Sequence, residues 1–423
     1  MLISKTNTRE ERLLSFEDAR QLVIESAEGE RNLKRERHKA PLLDCLQRVL
    51  AEDIHADRDL PPFARATRDG FAVHSEDLRD TPTVLKVAGE IRAGGDLPTG
   101  FTRLKKMQAV SIMTGAPVPD GADAVVMVEH TQALAEGVRV LRSVAAGENI
   151  VPRGSEARTG ALLVERGTVI SHAHIAVGAA VGKSLLSVYA KPTVAILPTG
   201  DELVSIEAQP AENQIRNSNS FSLAAQVIAA GGEPVQLPIA ADQPARLREL
   251  IAQGFESDLL LLSGGVSAGE YDLVEDVLSE FSAEFLFTGV QIQPGKPLVF
   301  GRIRSLRSPS GWTYFFGLPG NPISTMVTFA LFARIMVRAL SSAPPMSLRG
   351  TRARLAKTVH AKTGLTRFLP ARLSGSWNDS DVELVKWQGS GDIAAFAEAD
   401  CLLVIPPDRE KFDPGELMTV VPL

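Results

Sequence analysis

Three short polar turns in the middle of the chain carry the residues best suited to chemistry. They are residues 198–202, 263–272 and 318–322, and each follows an apolar run typical of a buried strand. Their glycines allow tight turns, and backbone N–H groups at such turns and at the helix starts that follow can bind anions. Carboxylates in the same region are ligands that Mg²⁺ prefers. The pattern predicts a site for a phosphate-bearing ligand and a bridging magnesium ion.

Glu202, Asp242 and Asp272 are the candidate carboxylates for that ion. Without a cation between them they would repel a phosphate. Lys296 lies in a stiff Pro-Gly-Lys-Pro segment and suits an oxyanion, although a solvated turn lysine is an equally good interpretation. A single turn of this kind is more often only a helix cap. Three of them at one sheet edge favour a ligand site instead.

The elements that must hold these turns follow from the apolar pattern after Pro192. Strand-like runs alternate with helical segments, which indicates βαβ units and a buried, mostly parallel sheet. In a doubly wound α/β sheet, ligands bind beyond the carboxyl ends of the strands, so the three turns are expected to share one site. We predict strands at 194–197, 234–240, 259–262, 284–290 and 313–316, and helices at 220–230, 243–254, 271–281 and 321–340.

The rest of the chain differs from this α/β segment in the length and spacing of its apolar runs. Short apolar runs separated by Gly and Pro fill residues 51–156, and their flanks resemble one another, which indicates an inserted β-rich module. The basic run 31–39 is best interpreted as a connector with a solvated face. We expect a discontinuous, elongated α+β linker and dimerisation domain (13–54 plus 157–190), the inserted β-rich domain (55–156), a central doubly wound α/β domain (191–341) and a small β-barrel-like C-terminal domain (347–423).

The composition of the 423 residues excludes several classes of protein. With 45 Lys and Arg against 51 Asp and Glu, the net charge of −6 disfavours nucleic-acid binding. Two cysteines are too few for a disulfide framework, an iron–sulfur cluster or a multi-cysteine zinc site. No apolar leader is recognisable, and Arg334 interrupts the most apolar run. We expect a cytoplasmic protein with no membrane or nucleic-acid partner.

Six segments of the sequence, taken in order, form one set of motifs. They are residues 67–72, the pair 112–116 and 121–126, and residues 198–203, 263–272, 294–297 and 319–322. Together they resemble the MoeA family of molybdopterin molybdenumtransferases, which is similar to the E domain of gephyrin and of plant Cnx proteins. The resemblance covers the chain from about Phe16 to the C-terminus.

This resemblance implies an activity and partners. The activity is the Mg²⁺-dependent insertion of molybdate into adenylylated molybdopterin, with release of AMP. The family also implies a homodimer whose active site draws on both subunits, and transfer of the product to other cofactor-biosynthesis or acceptor proteins. Because the substrate brings its own sulfur ligands, a chain with only two cysteines can still handle molybdenum.

The resemblance assigns roles to the candidate acidic and hydroxyl residues as well. Glu202 and Asp272 would bind Mg²⁺, with Asp242 nearby. Asp69 and Thr114 belong to the inserted module and would complete the catalytic cleft, from the partner chain.

Substrate-binding residues follow from the same motifs. Lys296, Arg372 and Ser390 would meet molybdate, an oxyanion that needs cations and hydroxyl donors. The pterin-phosphate or nucleotide pocket would be formed by Thr199, Gly200, Ser263, Gly264, Gly265, Ser267, Pro297, Pro319, Gly320, Asn321 and Pro322.

Three positions depart from the family pattern and bear on the oxyanion subsite. Gln293 stands where many members have a second lysine before Pro-Gly-Lys-Pro. Glu156 stands where an aspartate is common, and Leu365 follows Gly364 where an arginine is often found.

Two other functions are compatible with parts of the sequence. A molybdopterin adenylyltransferase has a similar α/β domain but would need only residues 192–340. A scaffold of the gephyrin E type binds peptides at its dimer surface, yet this chain has no appended domain or long linker. The insertion of molybdenum is therefore the leading hypothesis.

Overall fold

The structure is a computed structural model that describes residues 13–31, 33, 35–95, 101–265, 273–345, 348, 350–376 and 378–423. Helix α1 (Phe16–Arg31) opens the chain, and Ser15 Oγ accepts the N–H of Asp18 at 3.1 Å in its first turn. This is the start that a Ser followed by acidic residues predicts.

Strands on either side of the inserted module pair with one another. Arg37–Pro41 runs antiparallel to Leu185–Tyr189, and Ile54–His55 pairs with Leu162–Val164. A 3₁₀ turn (Leu42–Cys45) and helix α2 (His172–Ala180) pack on these strands around a small apolar core. The two flanks therefore form one unit, as the similar textures predicted, while the domain boundaries themselves stay a prediction.

The inserted module is a six-stranded sheet with apolar clusters on both faces. The strands are β1 (Gly70–Val73), β2 (Thr83–Ile91), β3 (Gln108–Ile112), β4 (Ala124–Met127), β5 (Thr131–Leu134) and β6 (Gly137–Val140). Their order in the sheet is β4-β1-β3-β2-β6-β5, and only β2 and β3 run parallel. A strand pair, Arg65–Ala66 with Ile150–Val151, and 3₁₀ turns at Ser75–Leu78 and Val128–His130 complete the module.

The predicted α/β domain forms a second six-stranded sheet. Its strands are β7 (Thr193–Pro198), β8 (Glu233–Gln236), β9 (Leu259–Ser263), β10 (Glu284–Phe287), β11 (Val299–Arg304) and β12 (Trp312–Leu318), in the order β8-β7-β9-β12-β11-β10. The first four strands in this order are parallel, and the last two are joined antiparallel, which confirms a mostly parallel sheet.

Helices cover both faces of this sheet, so β9 is buried along its whole length. Two predicted strands are shorter than expected: β8 ends at Gln236, and the run 284–290 divides into β10 and a separate Gly289–Val290 that pairs with Leu13–Leu14. A two-stranded ribbon, Leu203–Val204 with Ile215–Arg216, was not predicted. The helices are α3 (Asn219–Ala229), α4 (Pro244–Gly254), α5 (Leu273–Glu280) and α6 (Pro322–Leu340).

Helix α6 is a core helix. By length and composition it is the one helix among the described residues that could cross a membrane, but 78% of its most apolar stretch is buried inside the protein. Helix α1 packs against it, with the Phe16 and Phe332 rings edge to face at 5.8 Å. Packing therefore joins α1 to the central sheet, whereas the sequence grouped it with the linker segments.

The C-terminal region is a closed β-barrel, as expected. The strands are β13 (Thr351–Leu355), β14 (Thr366–Ser376), β15 (Asp379–Leu384), β16 (Cys401–Ile405) and β17 (Leu417–Pro422). Their order is β14-β15-β13-β17-β16, and a direct β14–β16 pairing closes the barrel, while Ile292–Gln293 pairs with β14 in parallel. A short helix α7 (Ile393–Phe396) and the pair Val359–His360 with Lys411–Phe412 complete the barrel.

Candidate active site

The three polar turns meet around one cavity of about 430 Å³ at the carboxyl edge of the central sheet. We call it the sheet-edge cavity. Its lining includes twelve of the residues singled out in the sequence: Thr199, Gly200, Glu202, Asp242, Ser263, Gly264, Gly265, Pro297, Pro319, Gly320, Asn321 and Pro322.

Parallel pairing brings the turns together. Strands β7, β9 and β12 are neighbours, and their hydrogen-bonded ladder continues into the turns. The N–H of Thr199 donates to Ser263 O at 3.0 Å, and the N–H of Gly264 donates to Leu318 O at 3.1 Å. The floor of the cavity is therefore fixed by backbone hydrogen bonds rather than by side-chain packing.

Two glycines in this floor have conformations that other residues rarely adopt. Gly264 has φ +98°, and a Cβ there would lie 2.5 Å from the carbonyl oxygen of Thr199. Gly200 has φ +139°, and a Cβ there would lie 2.4 Å from the carboxylate of Glu202. Gly264 requires glycine because of the close backbone approach as well as the dihedral angle, whereas at Gly200 the dihedral angle is the reason, since the flexible Glu202 side chain could move aside.

Asn219, the first residue of α3, ties two of the three turns, those after β9 and β12, to one another. Its Nδ2 donates to Ser263 Oγ at 3.0 Å and to Gly320 O at 2.8 Å. Its Oδ1 and the Thr199 hydroxyl are buried and lack a hydrogen-bond partner, although both residues line the cavity. Buried orphaned polar atoms are costly, and a bound ligand could satisfy them.

The sequence pattern did not predict Asn219, or the segment 215–219 to which it belongs, as part of the site. The cavity is also lined by Leu203 and by residues 215–219, which hold the ribbon strand Ile215–Arg216 and the start of α3. The available signal was the run Arg-Asn-Ser-Asn before an apolar helix, where Asn217 Oδ1 accepts the N–H of Ser220 at 3.2 Å.

The charge in the cavity favours a cation. Glu202 and Asp242 line it, and among the lining residues that the structure describes Arg216 is the basic one. Burial, together with the charges of Asp201 and Glu202, raises the pKa of Asp242, so an additional negative group is disfavoured there. Across the described ranges, no group of three His, Cys, Asp or Glu side chains could hold a metal alone. A metal here would need ligand oxygens from the substrate or from other residues.

Two of the predicted residues, Asp272 and Ser267, lie outside the described residues. Asp69 and Thr114 lie together in the inserted module and not on the sheet-edge cavity. Asp69 Oδ1 accepts the backbone N–H of Thr114 at 2.6 Å and its hydroxyl at 2.8 Å. These two hydrogen bonds lower the pKa of Asp69.

The three predicted molybdate residues are not among the residues that line the cavity. Ser390 lies at its border, because its carbonyl accepts the N–H of Ile323, in the first turn of α6, at 3.0 Å. Lys296 is exposed and adjoins the lining residue Pro297. Arg372 is exposed on β14 and forms an ion pair with Glu398 at 3.2 Å.

Three family models match successive parts of the chain. The MoeA N-terminal region (domain I and II) matches residues 14–182, a probable molybdopterin binding domain matches 195–339, and the MoeA C-terminal region (domain IV) matches 352–423. A molybdopterin molybdenumtransferase of Bacillus subtilis is 32% identical over 390 residues, covering 90% of this chain and 88% of the relative. The chain belongs to the MoeA family. It is a transferase of molybdenum cofactor biosynthesis.

Further relatives agree with this membership of the MoeA family. A molybdopterin molybdenumtransferase of a Nostoc species is 36% identical over 298 residues, which is 69% of this chain and 67% of the relative. A crystal structure of the molybdopterin biosynthesis MoeA protein from Pyrococcus horikoshii has a TM-score of 0.78 and 27% identity, covering 97% of this chain and 100% of that one.

The departures from the usual MoeA sequence have structural partners. Gln293 Oε1 accepts a hydrogen bond from Arg367 Nε at 2.8 Å, where strand Ile292–Gln293 joins β14. Arg367 is mostly buried and also donates to the carbonyl of Leu365 at 3.1 Å. Glu156 pairs with Arg65 at 2.8 Å within the inserted region. A guanidinium therefore lies beside the position where many members carry a second lysine.

Proposed function

We propose that this MoeA-family chain is a molybdopterin molybdenumtransferase that inserts molybdate into adenylylated molybdopterin and releases AMP. The observation that carries the proposal is the sheet-edge cavity, in which three glycine turns and two carboxylates meet. Such a cavity suits a phosphate-bearing ligand accompanied by a cation. We place the reaction in the cytoplasm, with no membrane or nucleic-acid partner.

The turns would hold the phosphate and pterin parts of the substrate. Gly264 and Gly265 keep the backbone open to the ligand, since a side chain at either position would collide with Thr199. The unpartnered Thr199 hydroxyl would exchange a hydrogen bond with the ligand, and the side-chain amide oxygen of Asn219 would accept one from it. Ligand binding would therefore supply hydrogen-bond partners for two polar atoms that the protein itself leaves without one.

Magnesium fits the donor set of the cavity. Glu202 and Asp242 supply hard oxygen ligands, and burial together with the neighbouring charges of Asp201 and Glu202 raises the pKa of Asp242. We propose Glu202 and Asp272 as its ligands, with Asp242 beside them. When bound, Mg²⁺ would neutralise charge on the carboxylates and on the substrate phosphates. Asp201 holds this arrangement, because its Oδ1 accepts the N–H of Asp242 at 3.0 Å.

Molybdate would be bound by cations and hydroxyls and not by protein sulfur. Cys45 and Cys401 are both fully buried, and burial with the nearby Asp400 raises the pKa of Cys401 to about 12. Neither thiol is available as a thiolate. We assign molybdate to Lys296, Arg372 and Ser390, of which Lys296 and Ser390 adjoin the lining of the cavity, whereas Arg372 pairs with Glu398.

We further propose a homodimer in which the inserted module serves the neighbouring subunit. The support is that Asp69 and Thr114 form a joined acid and hydroxyl pair away from the cavity of their own chain. Mixing an inactive Thr114→Ala chain with an inactive Glu202→Gln chain should restore part of the activity through heterodimers. Proven subunit exchange without recovery would place the whole site within one chain.

The deciding experiment incubates the protein with adenylylated molybdopterin, Mg²⁺ and molybdate, and measures the AMP released. We expect AMP release that depends on molybdate, and a loss of at least about 100-fold in Glu202→Gln, because a charged metal ligand becomes neutral. Glu212→Gln removes an equally exposed carboxylate from the neighbouring loop and should keep wild-type rates. Consumption of ATP with unadenylylated molybdopterin instead would indicate an adenylyltransferase.

A further inference from the structure

A second cavity, of about 420 Å³, lies where the end of α1 meets three other parts of the chain. Its lining includes Arg31, Arg35 and Arg37 from the basic run, together with Arg166, Tyr189 and Ser342. We call it the arginine cavity. None of its lining residues belongs to the sheet-edge cavity.

Long-range contacts bring these arginines together. Arg37 begins a strand in register with Tyr189, which places the basic run against the strand after the insert. The backbone N–H of Arg166 donates to Asp53 Oδ1 at 2.7 Å, which holds its turn. Ser342 follows the end of α6 with φ +63°. The basic run is therefore solvated at residues 36–39, as the sequence indicated, but its half-buried Arg31 and Arg35 also line a cavity, which was not predicted.

The cavity concentrates positive charge. Among the lining residues that the structure describes, none carries a carboxylate. Arg35 pairs with the buried Glu30 at 3.0 Å and lies 3.8 Å from Asp258. The other three guanidinium groups form no ion pair within the described part of the chain. Three guanidinium groups without an ion pair, with the paired Arg35 beside them, attract an anion to this concave surface.

Two polar atoms of the lining residues also lack partners. Arg35 Nε and Ser342 Oγ are buried and make no hydrogen bond. Leaving such groups unsatisfied destabilises the fold. An anion with several oxygens would satisfy donors that the protein alone does not.

We propose that the arginine cavity binds a small ligand through a diphosphate group. Guanidinium groups form paired, charge-assisted hydrogen bonds with phosphate oxygens, and four of them match two linked phosphoryl groups better than one. The volume falls in the usual range of small-molecule sites, about 300–1,000 Å³. Because the lining is already basic, this binding needs no divalent metal.

The test is calorimetric titration of the full chain with inorganic pyrophosphate in EDTA. We expect one site per chain, and at least about tenfold weaker binding in Arg166→Ala and in Arg37→Ala. Both side chains are exposed, so truncation should leave the fold intact, which melting curves would verify. Arg139→Ala, at an exposed position of the inserted sheet, and Glu202→Gln, in the other cavity, should bind normally.

Several outcomes would overturn the proposal. No binding, or binding that survives the loss of Arg166, would show that the cavity is not the site. Tighter binding in Glu202→Gln would assign pyrophosphate to the sheet-edge cavity, because without a metal the Glu202 carboxylate repels a phosphate there. Equal affinity for orthophosphate would remove the diphosphate requirement. Because no molybdenum chemistry enters this measurement, its failure leaves the proposed enzymatic function untouched.

Discussion

Two of the cavities in the described part of the molecule have nearly equal volume and opposite charge. The sheet-edge cavity, about 430 Å³, carries two carboxylates and one arginine on its described lining, whereas the arginine cavity, about 420 Å³, carries four arginines and no carboxylate there. Both are suited to phosphate, but in different ways. An acidic lining requires a cation between protein and ligand, while a basic lining binds the ligand directly. Size alone therefore does not reveal how a phosphate is held.

Removal of magnesium should separate the two cavities most clearly. We expect EDTA to weaken the binding of adenylylated molybdopterin by about 100-fold, because the carboxylates then repel its phosphates. Pyrophosphate binding at the arginine cavity should persist without any metal. Parallel titrations of both ligands, with and without Mg²⁺, measure this. Metal-independent binding of the pterin substrate would break the comparison.

The turns around the sheet-edge cavity should also depend on Asn219. Replacing it with alanine removes the donor to the Ser263 hydroxyl and the Gly320 carbonyl, so we expect a loss of about 1–3 kcal/mol in the free energy of unfolding. Denaturant titration measures the loss. Asn213→Ala changes an exposed asparagine of the preceding loop and should shift stability by less than about 0.5 kcal/mol. Equal stability of the two variants would contradict the bridging role.

Each cavity holds like charges that repel one another when no ligand is bound. We therefore expect Arg166→Ala and Glu202→Gln each to stabilise the ligand-free fold by a few tenths of a kcal/mol at low salt. In the Glu202→Gln variant the pKa of Asp242 should fall toward its ordinary value, since the Glu202 charge helps to raise it. Thermal unfolding at two salt concentrations checks both variants. Destabilisation by either change would show that the removed charge is favourably paired.

The pKa of Asp69 is lowered, whereas that of Asp242 is raised, and we expect the smallest effect of the series at Asp69. Its pKa is lowered first by the backbone N–H of Thr114 and then by the Thr114 hydroxyl, so its ionised form is stabilised in the fold. This stabilisation is present above the unfolded-state pKa and is lost as the pH falls through the folded-state pKa. In Thr114→Val the N–H remains, and the pKa should rise only part of the way. NMR titration measures the change, with the exposed Thr102→Val as control.

Local patterns were sufficient to predict the central sheet and most of its site. The run Leu259–Ser263 is apolar throughout and followed by two glycines, which predicts both a buried strand and a ligand-binding turn. Asn219 escaped prediction because its partners, Ser263 and Gly320, lie 44 and 101 residues away in sequence. Nothing in the sequence around an asparagine reports contacts at that range.

The arginine cavity escaped prediction for a related reason. Its cations come from residues 31–37 and from Arg166, which the chain separates by the whole inserted module. They become neighbours because Arg37–Pro41 pairs with Leu185–Tyr189 and Ile54–His55 pairs with Leu162–Val164, just before Arg166. In the sequence a basic run is indistinguishable from a solvated surface, because charge density in three dimensions is set by topology.

Helix α6 connects the two cavities end to end. Pro322, its first residue, lines the sheet-edge cavity, and Ser342, just beyond its last residue, lines the arginine cavity. Its 19 residues span about 28 Å at 1.5 Å per residue. The helix thus acts as a spacer of fixed length, too long for one small molecule to reach both ends. The two ligands proposed for these cavities would therefore be separate molecules, and we expect each to be titrated without displacing the other.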